Sequence, residues 1–402
     1  MTNLPQGWKM ETLGEILSSD KYSIKRGPFG SALKKSFFVE KGIRIFEQYN
    51  PINNDPHWKR YFISHEKFQE LEAFKATEGD LLISCSGTLG KIVELPKDTE
   101  MGIINQALLK IRLNNIKILN SYFIYYFNSP IMQEKILEST LGSAIKNIAS
   151  VKILKQIEIP LPPLKEQERI VGILDFAFSK IDENIKKAKE NLANIDELMQ
   201  SALQKAFNPL NDNTKENYQL PQSWEWKSLE EISENISAGG DKPKNCTESK
   251  TAKNQIPVYA NGVNNNGLVG YTDKATIIKP SLTISARGTI GFVCIRKEPY
   301  FPIVRLISLI PCENILCLHY LYFCLNFFIA KGEGSSIPQL TIPKFKSLQI
   351  PLPPLKEQEQ IAKHLDFVFE KTKALKELYT KELKDYEELK QSLLNKAFKG
   401  EL

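Results

Sequence analysis

Along residues 171 to 202 the apolar side chains fall at Val171, Leu174, Phe178, Ile181, Ile185, Ala188, Leu192, Ile195, Met199 and Ala202, in alternating steps of three and four. That spacing predicts one long helix with a heptad seam. A second stripe, Leu365, Val368, Thr372, Leu375, Tyr379, Leu383, Tyr386, Leu389 and Leu393, is similar but less regular. At 1.5 Å per residue, roughly forty residues make a rod of about 60 Å. A helix with a single apolar stripe needs a partner, and the obvious partner of each is the other. The plainer alternative is that each helix packs on its own neighbouring domain as core.

Elsewhere the pattern shortens to β-rich runs. IRIFEQY, DLLISCSG, KIVEL and ALLKIRL precede a helix near 121, and IPVYA, LTISARG, IGFVCI and VRLISLI repeat that order in the second half. Both globular parts read as α+β domains with mixed or curved sheets. The apolar window 315 to 330 is interrupted by His319 and Asn326, too short for a membrane span, and reads as a buried helix.

The decapeptide IPLPPLKEQE occurs twice, at 159 to 168 and 350 to 359, and the stripes it opens end in ALQKAF and LLNKAF. LPQGWKMETLGEI (4 to 16) likewise answers LPQSWEWKSLEEI (220 to 232). The chain is a tandem duplication with diverged heads. We expect a first head over 1–160, a helix over 161–208, a linker over 209–219, a second head over 220–350 and a second helix over 351–402. Pro160, Pro162 and Pro163 enforce an extended approach, with Pro163 suited to the first helical turn. The twelve residues from 208 to 219 stretch to about 40 Å, short of the roughly 60 Å that parallel helices would require. The helices are therefore expected antiparallel, with the heads related by a pseudo-two-fold.

Charge changes this picture little. The net charge of +6 is mildly basic, enough to favour a polyanion without requiring one. Six cysteines contain no C-x-x-C pair, so reduced, mostly buried thiols in a cytoplasmic protein are expected. The start, MTNLPQGWKM, shows no secretory leader. Neither a phosphate-binding G-x-x-x-x-G-K-[ST] loop nor an Asn-Pro-Pro-Tyr-like string is present. The four histidines fit no metal spacing, and Asp80 and Asp241 read as turn residues, so neither catalysis nor a cofactor is expected in this chain.

Candidate chemistry gathers in glycine-bearing loops. KRGPFGSALKK (25 to 35) sets Arg26, Lys34 and Lys35 around a tight loop with Ser31, as phosphate contact requires; solubilising surface lysines are the plainer reading. SCSGTLGKI (84 to 92) matches SARGTIGFV (285 to 293): the glycines repeat while Ser86 gives way to Arg287. Thr88 and Thr289 share that turn, which taken alone is also an ordinary hairpin. NGVNNNG (261 to 267) offers Asn264 and Asn265, able to pair with base edges but also common in turns. Lys91 and Lys242 complete the expected DNA contacts.

The doubled LPPLKEQE-x-I-x-x-x-L-D motif (161 to 175, 352 to 366), the paired LPxxW starts, GPFGSALK and the Ser-x-x-Gly-Thr-x-Gly turns resemble the specificity subunit of type I restriction-modification enzymes over essentially the whole chain. The resemblance implies two target-recognition domains reading a split, asymmetric site in double-stranded DNA, and long helices that fix its spacing and dock two modification subunits. It implies that those methylases carry S-adenosylmethionine and that restriction (motor) subunits use ATP and Mg. The alternatives are a coiled-coil protein scaffold, or the specificity subunit of a system with fused methylase and nuclease. A membrane partner is not expected.

Overall fold

A computed structural model describes residues 4–138, 148–210, 219–330 and 340–402. It divides into two compact units, Met1–Ala188 with Lys381–Leu402, and Lys189–Thr380. Most of the expected linker, residues 211–218, lies outside the described residues.

In the first unit the strand Lys9–Thr12 pairs antiparallel with Glu158–Leu161, Lys9 opposite Leu161, which joins the start of the head to its exit. Between them lies an antiparallel sheet in the order Ile24–Arg26, Leu108–Ile111, Leu81–Ser84, Ile92–Glu94. Five shorter strands form a second sheet with one parallel pair, Ile43–Phe46 beside Gly102–Ile104. The helix Asn120–Phe127 buries Tyr122, Phe123, Tyr126 and Phe127. Tyr122 and Tyr126 donate their hydroxyls to the Pro160 and Glu158 carbonyls, at 2.8 and 3.2 Å. Asp80, fully buried, receives Arg112 on both oxygens at 2.8 and 2.9 Å; it is a structural ion pair rather than a simple turn residue.

The second unit repeats the plan. Glu225–Ser228 pairs with Gln349–Leu352, and a four-stranded sheet runs Ser233–Ala238, Ile307–Pro311, Ser281–Ile284, Val293–Arg296. A three-stranded sheet of Leu268–Thr272, Ile256–Tyr259 and Phe301–Pro302 stands where the first unit has five strands. The apolar window is the helix Leu318–Ala330, whose Tyr320 hydroxyl donates to the Pro351 carbonyl at 2.7 Å. Among the described residues no helix is long and apolar enough to cross a membrane.

Two long helices, Leu164–Phe207 and Leu355–Lys399, pack together in both units, giving an α+β fold of two β-rich domains on paired helices. Pro163 sits just before the first helix rather than in its first turn, its carbonyl accepting from the amides of Glu166 (2.8 Å) and Gln167 (3.0 Å). In the first unit Ile170 and Leu174 share a core with Leu394, Ala397 and Phe398; in the second, Leu203 and Phe207 share one with Ala362 and Leu365. The start of each helix thus meets the end of the other, the antiparallel sense. The seam positions Leu174, Ile181, Ala188 and Ile195 are buried.

On the second helix Leu375 and Leu389 are exposed, against expectation. The residues that follow them, Lys376 and Lys390, form ion pairs instead with Asp196 and Asp182. Buried Thr372 satisfies its hydroxyl on the Val368 carbonyl at 2.9 Å. The helix ends are also core of the heads, so the two readings of the stripe both hold. Phe398 packs edge-on against Tyr122 and Tyr126, at 5.4 and 5.0 Å, and Phe207 against Tyr320 at 5.4 Å.

The duplicated decapeptide acquires a physical reason here. Gln167 is fully buried; its Oε1 accepts from the Leu119 amide (2.9 Å) and its Nε2 donates to the Lys117 and Pro162 carbonyls (3.0 and 2.9 Å). Gln358 does the same with the Cys317 amide and the Ile315 and Pro353 carbonyls, at 2.9, 2.9 and 2.8 Å. Each glutamine ties a long helix to its head through three backbone groups, with the bond to the Pro162 or Pro353 carbonyl fully buried.

All six cysteines are free, but only Cys85 and Cys324 are buried, while the other four are half-buried. Burial pushes the Cys85 thiol up to about 11.

Candidate nucleic-acid interface

In the first head the edge strand Ile24–Arg26 leads into Gly27, whose amide donates to the Leu108 carbonyl at 2.9 Å. A Cβ at Gly27 would lie 1.8 Å from the Asn105 carbonyl oxygen, so only glycine fits. Pro28 is buried, while Phe29, before Gly30 at φ +62°, is 67% exposed. Arg26 donates to the Cys85 carbonyl at 3.4 Å and lies 5.7 Å from the Phe29 ring. The basic loop and the glycine turn that begins at Ser84 are thereby brought together.

That turn is braced by Ser84. Its hydroxyl donates to the Thr88 carbonyl (2.7 Å) and accepts from the Lys91 amide (3.0 Å), and its carbonyl accepts from Gly90 N (2.9 Å). Gly87 and Gly90 are left-handed, at φ +67° and +69°. Thr88 and Lys91 are exposed, and Ser86 donates to Gln48 Oε1 at 3.4 Å. Ser31, Lys34 and Lys35 lie further along the basic loop, all exposed, Lys35 in a short 3-10 turn.

Gln48 opens a segment that the sequence reading missed. Asn50, fully buried, accepts from the Glu47 amide and donates to the Asp55 and Trp58 carbonyls, at 2.9, 2.9 and 2.8 Å. This holds Tyr49 stacked on Trp58 at 4.3 Å and 42% exposed. Burial raises the Glu47 carboxyl above the usual range, against the pull of Arg60. The turn-forming run NPINNDP (50 to 56) was the available signal.

In the second head the edge strand Ser233–Ala238 leads into Gly239, whose amide donates to the Leu306 carbonyl at 2.8 Å. A Cβ there would meet Ile303 N at 2.6 Å. Gly239 therefore repeats Gly27, and the loop with Lys242 and Lys244, both exposed, follows the same edge as the basic loop of the first head. The turn at 285–291 also repeats: Gly291 N donates to the Ser285 carbonyl at 2.9 Å, with Gly288 and Gly291 at φ +68° and +84°. Arg287 and Thr289 are exposed on it.

Asn261 joins the segments of this head. Its Oδ1 accepts from the Ala286 amide (2.8 Å), its Nδ2 donates to the Val304 carbonyl (2.6 Å), and Gly262 N donates to the Ser285 hydroxyl (3.3 Å). The structure thus unites the asparagine hairpin with the arginine turn. Asn264 and Asn265 are exposed at its tip. Asn265 and Asn266 are left-handed, at φ +48° and +52°, which accounts for asparagine there without a ligand. Val304 and Arg305 are left-handed too, at φ +54° and +60°, a conformation costing about 1–3 kcal/mol each. Nothing in the sequence announced that strain. Among the described residues no cluster of three or more His, Cys, Asp or Glu side chains suits a metal.

Two heads that share a glycine scaffold and differ in what it displays, each joined to the paired helices, define a class of duplicated two-headed subunit. The type I restriction modification DNA specificity domain matches residues 5–194 and 221–385, and the chain belongs to that family of non-catalytic specificity subunits. It is 32% identical over 221 residues to a putative type I specificity subunit of Mycoplasma pneumoniae, covering 54% of this chain and 56% of that protein. The chain thus spans little more than half the length of that relative. Over 365 residues it is 26% identical to the putative type I restriction enzyme MjaX specificity subunit of Methanocaldococcus jannaschii, covering 85% and 82%. Among solved structures, the fold is like a chain from work on complex assembly and conformational transition of the type I R-M system (TM-score 0.80, 21% identity, all of both chains). It is also like the HsdS subunit from Thermoanaerobacter tengcongensis (TM-score 0.63, 20% identity, 99% and 98% covered).

Proposed function

We propose that this chain gives a type I restriction-modification complex its DNA specificity by reading a bipartite, asymmetric site, one head per half-site. The first reader comprises residues 1–160 and the second 220–350, with 161–208 and 351–402 as spacers. One observation carries the reading: Gly27 and Gly239 make the same backbone bond, and the Ser84 and Ser285 turns the same closure, yet Ser86 stands where the other head has Arg287. A kept scaffold with exchanged side chains is what two different half-sites require. Arg26, Lys34, Lys35 and Lys242 contact phosphate, with Ser31 and Lys91 beside them; Ser86, Thr88, Asn264, Asn265, Arg287 and Thr289 lie at the bases.

The spacers dock two copies of one methylase. Phe176 and Phe367 occupy the same place in the two LDF motifs and are 71% and 58% exposed, a duplicated pair of uncovered rings. Those partners hold S-adenosylmethionine, and the motor subunits hold ATP and Mg. Methylation sequencing of DNA from cells expressing the full chain with its modification subunits tests the reading. A split adenine-methylated motif is expected; its absence from an assembled, active complex refutes it.

A further inference from the structure

Residues 303–306 turn back on the Gly239–Gly240 edge of the second head. Val304 and Arg305 are both left-handed, a region that a β-branched residue such as valine rarely enters. Two hydrogen bonds impose it, Val304 N to the Gly240 carbonyl and Arg305 N to the Gly239 carbonyl, each 2.8 Å. Asn261 adds a third, to the Val304 carbonyl, and through Ala286 N links this turn to the one that carries Arg287.

The Arg305 side chain is exposed and, among the described residues, makes no hydrogen bond or ion pair. A backbone held in an unfavourable state beneath an uncommitted guanidinium is preorganised for a ligand outside the head. The first head has Ala107 here, an equivalence fixed by the bonds of Gly27 to Leu108 and of Gly239 to Leu306. The first head's Ala107 bonds instead to the Asn105 side chain and is not left-handed, so among the described residues the fixed arginine is particular to the second head. A flexible lysine suffices for a simple phosphate contact, whereas bidentate reading of a base edge gains from a fixed Cα position beneath the fork.

We propose that Arg305 is a base-reading residue of the second head, its guanidinium donating to the O6 and N7 acceptors of a guanine in the major groove of the second half-site. This rests on the specificity reading above. The test compares wild type, Arg305→Gly and Arg305→Lys, each as the full chain in complex with its modification subunits. Glycine at φ +60° relieves the backbone, so Arg305→Gly should melt at or above the wild-type temperature. Both variants should lose discrimination at one position of the second half-site by about 10- to 100-fold, leaving the first half-site unchanged.

An unchanged methylated motif overturns the proposal. So does a uniform loss across all sequences for Arg305→Gly, with a shallower salt dependence that Arg305→Lys restores, because that marks a phosphate contact. A wild-type complex that methylates no split motif overturns the parent reading, and this one with it.

Discussion

Replacing Gln167 with leucine tests whether the repeated decapeptide acts through its buried amide. The side chain makes three hydrogen bonds to backbone groups, and leucine keeps its approximate volume while removing all three. At about 1–2 kcal/mol for each hydrogen bond lost from these buried and part-buried groups, the loss is roughly 3–6 kcal/mol, offset by about 1–2 kcal/mol from the more apolar side chain. A net cost of about 2–4 kcal/mol in a unit of this size lowers its melting temperature by about 5–15 °C. Calorimetry of the full chain resolves this, with Gln358→Leu giving the matching loss in the other unit. Gln167→Glu sharpens the test: a carboxylate would face two carbonyls, so its folded pKa must rise above the unfolded value of about 4.3. No ionisation penalty then exists below the unfolded pKa, and one grows as pH rises toward the folded value. A Gln167→Leu protein melting within about 1 °C of wild type would refute the reasoning, because the amide would then be replaceable by water or by relaxation.

Three further outcomes follow from the geometry. The raised Glu47 carboxyl costs stability above its unfolded pKa and nothing below it, so Glu47→Gln should raise the melting temperature at pH 7 and leave it unchanged at pH 3. Phe176→Ala or Phe367→Ala should leave melting unchanged while cutting the copurified methylase from two copies to one, and the double variant should retain none, as measured by native mass spectrometry. Deleting one heptad at facing positions of both helices shortens the spacer by about 10 Å, and should change the methylated motif's gap by about three base pairs while leaving the half-sites intact.

Much of the fold was legible because it is written in exact repeats and regular spacings. The alternation of three and four fixed the first helix, and the paired glycine turns located a shared element in both heads. Less was legible where different side chains satisfy one backbone demand. Gly27 is followed by proline and Gly239 by glycine, so no string comparison aligns them; the alignment lies in a hydrogen bond and a close approach. Leu375 and Leu389 fit the stripe, yet lysine stems beside them can both cover apolar surface and reach an aspartate. The strain at Val304 and Arg305 is a dihedral angle imposed from outside the segment, and the Gln48–Trp58 loop resembled an ordinary turn-rich connection.

Phe398, lodged between Tyr122 and Tyr126, sets an order of events during synthesis. The unit built from Lys189–Thr380 is one unbroken stretch of chain, whereas the other needs Lys381–Leu402 to close over residues made far earlier. Domains usually consolidate as they leave the ribosome, the earliest first. Here the sequence is inverted: the later-made unit completes itself while the earlier one waits for the final helical turns. A chain released near Thr380 would therefore have its second reader whole and the core of its first left open.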